Sequence, residues 1–142
     1  MIDDEIVSFI NDLKVATLCV SRQDQPYCFN CYYAFMPAEG YLVYKSSFGT
    51  THEKMLADNP VVAGTIIPEQ IDVATIRGIQ LQGHLLEEGL DLSVKASAAY
   101  YLKFPFAMVM PGKIYVISID AIKFTDNTRG FGFKQHWERE KA

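Results

Sequence analysis

The chain is poor in several things at once, and each shortage removes a class of function. It holds only three cysteines, Cys19, Cys28 and Cys31, an odd set in a chain with no export signal. A disulfide framework is therefore not expected. It has no excess of positive charge: 13 Lys and Arg stand against 17 Asp and Glu, a net charge of −4. No basic face for nucleic acid follows from that balance. No apolar run reaches the roughly 18 residues needed to span a bilayer as a helix. The first residues, Met1-Ile2-Asp3-Asp4-Glu5, carry the wrong sign for a secretory or transit signal. The expectation is a cytoplasmic protein with neither a membrane nor a nucleic-acid partner. Nor does the spacing of residues offer a Ser/His/Asp arrangement, a P-loop or a metal-ligand cluster, so no metal is expected.

What remains is a composition suited to a buried core, 49% hydrophobic and 21% charged. At 142 residues one domain is expected, spanning 1–142. Ile6, Phe9, Ile10 and Leu13 recur at helical spacing and predict a first helix from about Asp4 to Leu13, with Asp3 as its cap. Strands are expected over Val15–Ser21 and Tyr27–Met36, joined by the turn Gln23-Asp24-Gln25-Pro26. A further turn at Pro37–Gly40 leads into a strand over Tyr41–Ser46. The C-x-x-C of Cys28 and Cys31 falls inside a strand, where residues three apart point to opposite faces. That geometry suits neither a thioredoxin-type site nor zinc, and the cysteines read as small strand hydrophobes. Later segments predict a long strand over about Val73–Glu88, with Gly78 and Gly83 as candidate bulges or points of close backbone approach. A helix over about Asp91–Lys103 and a strand over Lys113–Phe124 follow, and Gly132–Trp137 pairs back onto the sheet. The fold class is α+β, mainly β, with six to seven mostly antiparallel strands closing into a barrel and three peripheral helices.

One stretch, Tyr41 to Ile67, organises the rest. Two β-prone runs flank a short helix whose start, Thr50-Thr51-His52-Glu53, fits the S/T-x-x-E capping box. In that pattern Thr50 caps the first turn and Glu53 reaches back to the N–H of Thr50. Asn59-Pro60 ends the helix. A helix start carries unsatisfied N–H groups and partial positive charge, which suits a phosphate. Lys45, Ser46 and Ser47 precede it, and His52 and Lys54 follow. The same junction is also ordinary architecture, and Glu53 competes with any anion for the same field.

The strand Ile76-Arg77-Gly78-Ile79-Gln80-Leu81-Gln82-Gly83, the segment Ile122 to Gly132 and the order of elements together resemble one family. They are similar to the FMN-binding split β-barrel proteins of the pyridoxamine 5′-phosphate oxidase superfamily, and within it to a short, poorly characterised subgroup. The resemblance covers nearly the whole chain. It implies FMN as cofactor, with the phosphate held by Lys45, Ser46, Ser47, Thr50, Thr51 and His52. It also implies flavin-ring contacts from Asn30, Tyr32, Gln80, Phe124 and Lys134, and a homodimer that builds the site. The Arg-Lys pair that grips the phosphate in the oxidase is replaced here by Thr51 and His52. The oxidase's substrate cations are missing from Ser97–Lys103 and from Gly130 and Gly132. A flavin-dependent oxidoreductase of an unknown small molecule, not pyridoxamine phosphate, is the implied function. The alternative is a binding protein that kept the barrel and weakened or lost the flavin. Haem in the same cleft, with His52, His84 or His136 as ligand, is a third reading.

Overall fold

The structure, a computed structural model, describes residues 1–141. Helix α1 spans Asp4–Asp12 and leads into strands β1 (Val15–Arg22), β2 (Gln25–Met36) and β3 (Tyr41–Ser46). Helix α2 (Thr51–Asp58), β4 (Val61–Ile66) and β5 (Arg77–Leu85) follow. Helix α3 (Leu90–Lys103), a 3-10 turn at Pro105–Val109, β6 (Lys113–Asp126), a second 3-10 turn at Asn127–Arg129 and β7 (Lys134–Glu138) complete the chain.

All seven strands form one antiparallel sheet in the order β3-β2-β1-β4-β5-β6-β7, and β3 also pairs with β6. That extra pairing closes a six-stranded barrel. The long β6 makes closure possible. Its first half, Lys113–Ser118, pairs with β3, and its second half, Ala121–Thr125, pairs with β7. A strand of 14 residues thus serves two neighbours along one edge. Period-two alternation decides what fills the barrel. Leu18, Val62, Ile66, Ile79, Leu81, Ile117, Ile119 and Ile122 point inward and are at most 2% exposed. Helix α1 closes one end with Ile6, Phe9 and Ile10, and α2 closes the other with Met55 and Leu56.

Several boundaries differ from the sequence expectation. The β1–β2 turn uses only Gln23 and Asp24, at φ 51° and 63°. This is the left-handed geometry that two-residue hairpins need, so Gln25 and Pro26 belong to the strand. The expected strand over Val73–Glu88 shrinks to Arg77–Leu85. Asp72 accepts from the Ala74 N–H through its side chain and from the Thr75 N–H through its carbonyl, folding 72–75 into a turn. Gly83 sits where the β5–β6 register slips, and a Cβ there would lie 2.4 Å from the Ser118 carbonyl oxygen. Gly78 keeps regular pairing and makes no bulge. Asp3 occupies the cap position of α1 without a side-chain bond.

Candidate functional site

The start of α2 is built by a cap. Thr50 is extended (φ −71°, ψ 159°), and its Oγ1 accepts from the Glu53 N–H at 3.2 Å. Glu53 does not return to Thr50 as the capping box predicts. Its Oε1 accepts from the Gly49 N–H at 3.1 Å, one residue earlier, where Gly49 turns the chain at φ 72°. Its Oε2 accepts from the Tyr115 hydroxyl of β6. The Tyr115 bond and then the Gly49 N–H hold the Glu53 carboxyl below its usual range. Burial, aided by Glu53, pushes the Tyr115 hydroxyl up. The acid is therefore a fixed carboxylate, tethered on the β6 side of the corner.

The other side of that turn is different. The N–H groups of Thr51 and His52 lie in the first turn and have no intrahelical acceptor. Thr51 and Ser47 are exposed. The His52 ring stacks on Phe29 at 3.7 Å between centroids and 8° between planes, and its Nε2 lies 2.7 Å from Ser46 Oγ. Burial lowers the His52 pKa, partly offset by Glu53, so the ring is neutral at pH 7. Lys45 is turned away altogether. Its ammonium donates to the carbonyls of Ala107 and Met110 at 2.8 and 2.6 Å and lies 5.0 Å from the Tyr101 ring. Two of the cations expected near a phosphate, Lys45 and His52, are thus lost to the corner, one by packing and one by deprotonation, while Lys54 is exposed on α2. Hydroxyls and backbone N–H groups remain.

The ring-contact residues named from sequence divide in two. Asn30, Thr17, Thr65, Gln80, Lys123 and His136 are successive cross-strand partners from β2 to β7, one polar row over the outside of the sheet. Thr17 Oγ1 donates to Asn30 Oδ1 at 2.8 Å within that row. A shallow cleft of about 400 Å³ follows it along β4–β7, lined by Thr65, Gln80, Lys123 and His136 among others. Tyr32 shares the outer face of β2 with Asn30, half-exposed, its ring 5.5 Å from that of Phe104. Phe29, next to Asn30 in sequence, faces inward and carries the stacked His52. Strand β2 therefore connects the α2 corner to the polar row. Phe124 does not join it: the ring is 1% exposed and packs 5.0 Å from Phe9. An inward position on β6 makes it core. Lys134 is exposed at the start of β7, its ammonium donating to the Gly132 carbonyl.

A larger cleft, about 870 Å³, lies between α2, β6 and the start of α3. Glu53, Glu87 and Glu88 line it, with Lys113 paired to Glu88. Its negative balance makes it a poor seat for an anion. Sequence reasoning missed the partners that pin these surfaces. Arg139 donates to the carbonyls of Ile119, Glu39 and Gly40, fixing the β2–β3 turn. Lys103 donates to the Leu13 carbonyl over the Tyr33 ring, and burial brings its ammonium down to about 8. Both are long side chains reaching across 90 or more residues of chain, for which no local pattern exists. No helix is long and apolar enough to cross a membrane, and no cluster of His, Cys, Asp or Glu among the described residues could hold a metal.

Comparison with known proteins places this geometry in context. No family model matches the chain. Among solved structures, a haem binding protein from Mycobacterium smegmatis superposes with a TM-score of 0.71 at 19% identity, over 88% of this chain and 52% of that one. The chain spans about half of that protein's length. A FAD-binding protein from Mesorhizobium loti gives 0.69 at 15% identity, over 87% and 94% of the two chains. A putative pyridoxamine 5′-phosphate oxidase from Listeria innocua gives 0.62 at 14%, over 85% and 95%. At these identities the likeness is one of fold, the split β-barrel. Sequence relatives lie much nearer. A UPF0306 protein of Serratia proteamaculans is 35% identical over 135 residues, 95% of this chain and 94% of that one. Another, from Klebsiella pneumoniae, is 37% identical over 132 residues, 93% and 90% of the two. With identity at that level along nearly the full length of both proteins, the chain belongs to the UPF0306 family.

Proposed function

We propose that residues 1–142 form one FMN-binding split-barrel domain that works as a homodimer and as a flavin-dependent oxidoreductase of a small molecule. The observation that carries this is the α2 corner. Its open first turn is tied through the His52–Phe29 stack to the strand that presents Asn30 and Tyr32. A phosphate monoester fits the donors there: the N–H groups of Thr51 and His52, and the hydroxyls of Ser47, Thr50 and Thr51. Ser46 acts indirectly, by holding His52. Glu53 is held off by Gly49 and Tyr115, yet its charge weakens the site. A flavin carries its own redox chemistry, so the chain need only bind, orient and dry it. Asn30, Thr17 and Gln80 supply polar contacts along the outer face for the ring's heteroatoms. Pyridoxamine phosphate is disfavoured as substrate, because Ser97–Lys103 and Gly130–Gly132 offer no clustered cations for a second phosphate.

The homodimer rests on the outer face of β4 and β5. Its outward residues Val61, Ala63, Thr65, Gln80 and Gln82 are exposed, small or uncharged. A sheet face left permanently in water usually carries charges, and a second copy of this chain is the cover that a two-fold axis supplies. A cytoplasmic site of action goes with this reading. The test is the absorption spectrum of the purified protein, followed by titration of the apoprotein with FMN. Flavin bands, or saturable binding below roughly 50 μM, are expected; no binding at that concentration contradicts the cofactor.

Haem is the second reading. The imidazole of His84 is oriented by Asp120, Nδ1 to Oδ2 at 2.9 Å, as ligand histidines are commonly oriented by a carboxylate. A Soret band in the same spectrum would support it and displace the flavin. Neither band, and no titration, would leave a binding protein that kept only the barrel.

A further inference from the structure

We propose that Cys19 and Cys28 form a redox-active thiol pair, which low-molecular-weight disulfides convert into a cross-strand disulfide of the β1–β2 hairpin. The pair is specified by register. The turn Gln23–Asp24 is closed by Arg22 opposite Gln25, and the ladder then runs Ser21↔Pro26, Val20↔Tyr27, Cys19↔Cys28. In a two-residue hairpin the closing pair exchanges both hydrogen bonds, and the pairs alternate from there. Pro26, which has no N–H to give, occupies the first non-hydrogen-bonded site. Cys19↔Cys28 is the second. Non-hydrogen-bonded partners bring their Cα atoms to about 4.5 Å, inside the range of about 4.4–6.8 Å that a disulfide spans. The two sulfurs are 2.8 Å apart. Cys31, three residues on from Cys28, faces the other side of β2, and burial pushes its thiol up to about 12. It takes no part.

Exposure sets the order of events. Cys28 is exposed and Cys19 is half-buried. Burial, then the bond to Cys28 and its charge, raise the Cys19 thiol to about 11. The Cys28 thiolate attacks one sulfur of the reagent RSSR, breaking that S–S bond and releasing RS⁻. Capping Cys28 removes its charge from beside Cys19. Cys19 then loses its proton to solvent and attacks the Cys28 sulfur, expelling the second RS⁻. Two thiols are oxidised and one external disulfide is reduced to two thiols, so atoms and electrons balance. The product staples β1 to the strand that carries Phe29 and Asn30.

The experiment is intact-mass spectrometry of the full chain treated with glutathione disulfide, followed by non-reducing peptide mapping. The expected product has lost two hydrogens, carries no glutathione, and links the Cys19 peptide to the Cys28 peptide with Cys31 still alkylatable. Cys19→Ser should stop at a stable glutathionyl adduct on Cys28, and Cys31→Ser should behave as the parent. A persistent adduct on the parent protein, a link through Cys31, a disulfide between two chains, or no reaction while the chain is folded would each overturn the proposal. The parent's peptide map decides alone if the Cys19 variant does not fold.

Discussion

Helices α1 and α2 close opposite ends of one barrel, and they do so with different chemistry. At the α1 end the work is apolar. Ile6 and Ile10 are fully buried, Phe9 packs on Phe124, and the one buried hydroxyl there, on Tyr33, donates to the Ile10 carbonyl at 2.6 Å. The Gln135 side-chain oxygen, on the β7 residue opposite Phe124, is buried there without a partner. At the α2 end only Met55 and Leu56 are buried, and polar groups surround them. His52 meets Ser46, Glu53 meets Gly49 and Tyr115, and Tyr44 keeps a buried hydroxyl without a partner. The first end is a plug. The second holds solvent-facing donors and a fixed charge, and the proposed phosphate site rests on that difference.

The comparison can be broken by substitution. Phe9→Ala at the apolar end should cost about 3–5 kcal/mol by urea denaturation, while the folded fraction keeps its FMN affinity. A loss of affinity equal to that of a corner variant would erase the distinction. At the polar end, Thr51→Glu adds a carboxylate to an exposed first-turn position. It should weaken FMN at least about tenfold in a fluorescence titration and leave Tm equal or slightly raised, because the helix start favours a negative side chain. Opposite signs for binding and stability are the signature of a site.

Two smaller effects sharpen the contrast. His52 is held below its ordinary pKa of 6.5 by burial, so the folded state takes up fewer protons there than the unfolded chain. Its contribution is retained above about pH 6.5 and lost as the pH falls below it. Denaturation midpoints should decline on acidification across that range, and His52→Phe, which can keep the stack on Phe29, should flatten the decline. Tyr44→Phe removes a buried hydroxyl that bonds to nothing, so stability should hold within about 0.5 kcal/mol or rise. A loss above about 1 kcal/mol would mean that the hydroxyl has a partner.

Most of the architecture was legible because it follows from periodicity. The strands β1, β2 and β3 and the 3.6-residue stripe of Ile6, Phe9 and Ile10 each read directly from the residues. The two-residue turn was less legible, since Gln-Asp is an uncommon pair at positive φ and Pro26 suggested a break. The α2 corner was legible in its residues but not in its charges. Nothing local says that Lys45 caps a 3-10 turn more than 60 residues away, or that burial neutralises His52. Phe124 illustrates the same limit: its identity suits a ring contact, and only its inward register assigns it to the core. The Cys19–Cys28 pairing is not legible in C-x-x-C spacing, because only the hairpin register brings residues nine apart face to face.

The most direct measurement compares FMN with riboflavin on the same apoprotein, since the two differ only by the phosphate that the α2 corner is held to receive. FMN should bind at least about tenfold more tightly, and Thr51→Glu should abolish that preference while leaving riboflavin binding unchanged. Equal affinities for the two ligands, or a preference that survives Thr51→Glu, would contradict the assignment of the corner.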